Sequence, residues 1–126
     1  MARMKSSHLT DAELRLMEIV WEKGAATVAE VVDAVNTDSE APLAYSTVLT
    51  TLRILESKGY LRHTKDGRAF VYRPVVRRNK AQESAIKHLL RRFFQNSPEL
   101  LVLNLLERKK LSPEQLKRLR KRIEEK

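Results

Sequence analysis

The sequence predicts a mostly α-helical fold with a small β-hairpin wing, a winged helix-turn-helix followed by a C-terminal arm of three helices. Three observations predict it. Two capping boxes and a glycine stop mark out three successive helices before Gly59. The pair Asp66-Gly67, set between two β-prone runs, then marks a hairpin. Beyond Val76 the chain turns to apolar-faced, base-rich helices, which places a boundary between a first domain, 1–76, and a second, 77–126.

The first helix opens on Thr10, Asp11, Ala12 and Glu13, a capping box with Leu9 and Leu14 at the staple positions. Leu14, Met17, Val20 and Trp21 follow at helical spacing, and Gly24 ends the run. A second box, Thr27 to Glu30, opens a short helix with Val28, Val31, Val32 and Val35 on one face. Residues 36–42 are loop by composition. The third helix spans about 44–58, with Tyr45, Val48, Leu49, Leu52 and Leu55 on its apolar side. Its other side carries Ser46, Thr47, Thr50, Arg53 and Ser57, with Ile54 out of pattern among them. Strands are expected at 60–64 and 69–73, joined by Lys65, Asp66, Gly67 and Arg68 and closed by Pro74.

In the arm, a helix from about 79 to 94 turns Ile86, Leu89, Leu90, Phe93 and Phe94 to one side. Ser97-Pro98 supplies N-cap and first residue of the next helix, whose Leu100, Leu101, Val102, Leu103, Leu105 and Leu106 are apolar almost all round. Ser112-Pro113 opens the last, with Leu116, Leu119 and Ile123 on one side and bases elsewhere. Three such helices are too few to close a core alone. The arm is therefore expected to pack against a second copy, through Ile86, Leu89, Leu90, Phe93, Leu100, Leu103, Leu106, Leu116, Leu119 and Ile123.

Composition narrows the function classes. The 126-residue chain has no cysteine, so thiolate metal sites and disulfides are excluded and a reducing cytoplasm is expected. No apolar run approaches the roughly 18 residues of a membrane span, so no membrane insertion is expected. The basic N-terminal stretch has no apolar segment behind it and does not read as a secretory signal. The net charge of +9 is unevenly placed: acids dominate 1–42, bases dominate 43–76, and bases again dominate the rest. That polarity prepares one side for phosphates.

The hydroxyls of Ser46, Thr47 and Thr50 and the guanidinium of Arg53 suit the major groove of a double-stranded DNA operator. Lys65 and Arg68 on the hairpin suit phosphates. Trp21, Phe70 and Tyr72 are assigned to packing, and His8, His63 and His88 to exposed, unrelated positions without metal-ligand spacing. The base runs 108–110 and 117–122 fit either the solvated outer face of dimer helices, the reading preferred, or a second contact with DNA or an acidic protein. No catalytic set, glycine-rich phosphate loop, cofactor site or metal site can be assembled, so no enzyme is expected. From these residues alone three readings stand: a DNA-binding repressor, a winged-helix protein-interaction module, and a small-molecule-responsive regulator.

Across nearly the whole chain the sequence resembles the penicillinase-repressor family, the BlaI/MecI/CopY-type winged-helix repressors. The resemblance rests on residues 9–13 through Trp21, on 45–52 through Leu55, on Lys58-Gly59-Tyr60-Leu61 and on Phe70-Val71-Tyr72. In the arm it rests on Phe93-Phe94, Ser97-Pro98, residues 102–105 and Leu111-Ser112. It implies a homodimeric transcriptional repressor on a short palindromic operator. It also implies, for the penicillinase and methicillin-resistance branches, a membrane sensor metalloprotease that triggers cleavage in the arm, here at Asn104-Leu105. The copper branch's cysteine cluster is absent from this chain.

Overall fold

A computed structural model describes residues 8–37 and 39–125. The expectation that the N-terminal stretch is no signal falls on residues 1–7, outside the described residues. The chain divides into two compact units, 1–84 and 85–126. No helix among the described residues is long and apolar enough to cross a membrane.

The first unit is the winged helix. Its order is α1 (Asp11–Lys23), β1 (Ala26–Thr27), α2 (Val28–Asn36), α3 (Tyr45–Ser57), β2 (Leu61–Asp66) and β3 (Ala69–Pro74). Both expected capping boxes form, with Thr10 and Glu13 bonding each other's backbone and Thr27 and Glu30 doing the same. They satisfy donors that a bare helix start leaves open. Leu16, Met17 and Val20 of α1, Val28, Val31 and Val35 of α2, and Val48, Leu52 and Leu55 of α3 close one core with Leu61 and Tyr72. Leu14 is exposed and Leu16 fills its place; Tyr45, assigned to the apolar side of α3, is 55% exposed at the helix start. Gly59 ends α3: at φ 90° it lets the Tyr60 amide donate to the Leu55 carbonyl and its own amide to Glu56.

The sheet differs from the expected hairpin in two ways. β1 adds a third strand, in the order β1-β3-β2, pairing Ala26 with Tyr72 and Thr27 with Val71. Two residues are too short to show a strand's alternation, so only the pairing identifies them. The ladder also runs to Asp66 opposite Ala69, which makes Gly67 and Arg68 the turn. Gly67 alone has positive φ, 63°, the arrangement of a turn that needs glycine at its first central position.

A partly buried ion pair ties the start of α1 to the end of α3. Lys58 Nζ lies 2.8 Å from Glu13 Oε1 and also donates to the His8 carbonyl. Burial alone raises the Glu13 carboxyl, but bonds from Lys58 and the Thr10 amide, with the Lys58 charge, outweigh it and hold the group below its ordinary value. A carboxyl lowered by folding adds stability above its unfolded pKa and loses it as pH falls through the folded value. Glu13→Gln should therefore reduce stability at neutral pH by about 2 kcal/mol, because the partly buried Lys58 is left without its charged partner. The variant should also lose this part of the acid dependence. Urea titrations at neutral and acid pH check it; an equal deficit at both would reject the ion-pair account.

The first unit extends past Val76 because the root of α4 (Arg78–Phe93) is tied to α1. The Trp21 indole N–H donates to the Val76 carbonyl at 2.8 Å, and Arg78 lies over the Trp21 ring and 3.0 Å from Glu18. Trp21 and Phe70 are partly buried against the core and Tyr72 fully buried.

The second unit holds the rest of α4, then α5 (Pro98–Glu107) and α6 (Pro113–Glu124). Ser97 and Ser112 cap the last two, each followed by proline, and Ser112 with Gln115 completes a capping box. None of the three helices has a buried residue. Ile86, Leu89, Phe93, Leu103, Leu106, Leu116, Leu119 and Ile123 are exposed, with Val102; Leu90 and Leu100 are half-covered. Between α5 and α6 an open groove of about 980 Å³ is lined by Val102, Leu105, Leu111, Leu116, Leu119 and Ile123.

Candidate nucleic-acid interface

α3 buries one side and presents the other. Val48, Leu52 and Leu55 hold it on the core, so residues between them on the helix turn project outward. Ser46, Thr47, Thr50 and Arg53 are all exposed, as expected from the wheel. Ile54 stands among them at 42% exposure, an apolar group suited to a base-edge methyl. Thr51 is turned back, its hydroxyl donating to the Thr47 carbonyl.

Lys65 and Arg68 are exposed on the hairpin, Lys65 on the ladder opposite Phe70 and Arg68 in the turn. Among the described residues Arg53, Lys65 and Arg68 form no ion pair. No group of three or more His, Asp or Glu among the described residues is placed to hold a metal ion.

The hairpin is fastened beside the second half of α3. Glu56 of α3 meets His63 of β2 twice, through the ring nitrogen Nδ1 at 2.7 Å and the amide at 3.4 Å. The His63 ring packs edge-on to Phe70, with centroids 5.0 Å apart, and beside Tyr72. His63 is thus exposed but partnered, which the sequence reading missed; two residues on different elements seven apart give no spacing signal. Burial pushes the Tyr72 phenol above its ordinary value, the Glu56 carboxylate adds to this and Arg53 opposes it.

Comparison with known proteins agrees with this geometry. The penicillinase repressor family model matches residues 9–125. The penicillinase repressor of Bacillus licheniformis is 34% identical over 122 residues, spanning 96% of this chain and 93% of the relative. The methicillin resistance regulatory protein MecI of Staphylococcus aureus is 24% identical over 116 residues, 92% of this chain and 93% of the relative. The solution structure of the DNA binding domain of the repressor BlaI superposes with a TM-score of 0.53 at 32% identity, covering 62% of this chain and 93% of that one. With its winged helix, its outward hydroxyl-and-arginine face and a family match running the length of the described chain, this protein belongs to the penicillinase repressor family.

Proposed function

We propose that the chain is a sequence-specific transcriptional repressor of the cytoplasm that binds a palindromic DNA operator as a homodimer. The observation that carries the reading is the exposed α3 face of Ser46, Thr47, Thr50 and Arg53, fixed beside a wing with unpaired bases, in a member of a repressor family. On this reading α3 enters the major groove, its hydroxyls and Arg53 meet base edges, and Lys65 and Arg68 meet phosphates.

The arm, from residue 77 on, joins two copies. Support comes from the lack of any buried residue in α4, α5 and α6 and from the apolar groove between α5 and α6, which a second copy covers. Release from DNA follows cleavage at Asn104-Leu105 in response to a membrane sensor metalloprotease. That bond lies inside α5, where the Asn104 carbonyl accepts from the Arg108 amide at 3.0 Å. The helix must open locally before a protease can reach it.

Operator binding tests the reading. Arg53→Ala and Thr47→Ala should each weaken binding to the cognate sequence by about 1–3 kcal/mol, with less effect on random DNA and an unchanged melting temperature. Lys65→Ala and Arg68→Ala should weaken both DNAs alike and lower the salt slope by about one each. Full-strength binding by all four variants would remove α3 and the wing from the interface.

A further inference from the structure

The hairpin has a second charged feature, visible only once its register is known. Along β2, Leu61 is buried, and on β3 Tyr72 is buried opposite His63, so that side of the ladder faces the core. Alternation sends Arg62, Thr64, Val71 and Arg73 to the opposite, outer side. There Arg62 and Arg73 stand directly across from each other. Both are exposed, and among the described residues neither forms an ion pair. Arg73 Nη1 donates to Thr64 Oγ1 at 2.8 Å, which fixes one guanidinium over the strand and leaves its other donors open. The sole acid between residues 61 and 74, Asp66, lies at the far end of the ladder opposite Ala69.

Like charges directly opposite on a ladder repel and weaken the sheet. Any neutral or acidic residue at either position relieves this, so the arrangement opposes stability unless an anion sits between the two. Two forked guanidiniums at cross-strand spacing match the oxygens of one phosphate group. We propose that Arg62 and Arg73 form a seat for a DNA backbone phosphodiester on the outer face of the wing, separate from the α3 face and the hairpin turn. Charge complementarity picks the occupant: a duplex offers a continuous row of singly charged phosphates to a hairpin that carries four bases, Arg62, Lys65, Arg68 and Arg73, against one acid. The inference rests on the DNA-binding reading above and adds a contact to it.

The test uses the full chain with Arg62→Gln and Arg73→Gln combined, titrated on random-sequence duplex DNA across a salt series. The one phosphate seated here accounts for about 0.9 of the log–log salt slope, so the double variant should be shallower by about 0.9. The wild type should then lose about three- to fourfold more affinity than the variant between roughly 50 and 200 mM salt. The variant should melt no lower than the wild type, since a repulsive pair has been removed. Replacing both by lysine should restore most of the slope, because the charge remains. An unchanged slope overturns the proposal, and so does a lowered melting temperature, which makes the pair structural. A wild type that binds no duplex DNA overturns the DNA-binding reading itself, an outcome distinct from a variant that matches a binding wild type.

Discussion

Leu103→Glu combined with Leu106→Glu is expected to yield a monomer whose winged helix still folds. Both side chains lie on α5 and are 46% and 39% exposed in the single chain, so in the proposed dimer a partner copy has roughly half of each left to cover. Covering that half contributes about 1 kcal/mol per leucine, and a dimer has four of them. Losing about 4 kcal/mol weakens association roughly a thousandfold, before the added penalty of placing carboxylates in an apolar contact. Sedimentation reads the outcome directly. A dimer that survives both substitutions would move the interface away from α5. The winged helix should be indifferent, because its core is closed by residues of the first unit alone.

How far the sequence exposed this architecture depended on the range of each interaction. The capping boxes at Thr10, Thr27 and Ser112 were legible because both partners lie within three residues and local geometry decides them. The outward face of α3 was legible because helical periodicity is local as well. Glu13 gave no sign of being buried, since its partner Lys58 is 45 residues away and a glutamate in a first turn ordinarily faces water. β1 was hidden by its brevity, and Arg62 and Arg73 became a pair only through a register that the turn residues left open by one position. Tyr45 shows the opposite error: it fits the apolar stripe by spacing, but at the first position of α3 it stays 55% exposed.

The second large effect concerns the operator. A chain ending at Asn104 lacks the end of α5 and all of α6, and with them Leu106, Leu116, Leu119 and Ile123. If two winged helices bind a palindrome through a linked arm, the link makes the second half-site encounter intramolecular, a gain of about 10²–10⁴-fold. The truncated chain should lose about that factor on a palindromic operator while binding an isolated half-site as well as the full chain does. No DNA-contacting residue is touched, so the loss isolates the linkage. Titrations on the two DNAs side by side measure it. Should the truncated chain still dimerise and bind the palindrome with undiminished affinity, cutting at Asn104-Leu105 does not serve as the switch.

The chain contains a single tryptophan, and its position gives these experiments an internal light source. Trp21 is half-buried on α1, its indole N–H held by the Val76 carbonyl and its ring faced by Arg78, all within the first unit. Indole emission shifts to the red when the ring passes into water, so the intrinsic fluorescence of this protein reports the winged helix and its junction with α4. The distal part of the arm, beyond Ser84, contributes no indole signal of its own. A variant that falls apart into monomers and one that loses its DNA-binding fold therefore differ in colour, even where both stop binding the operator.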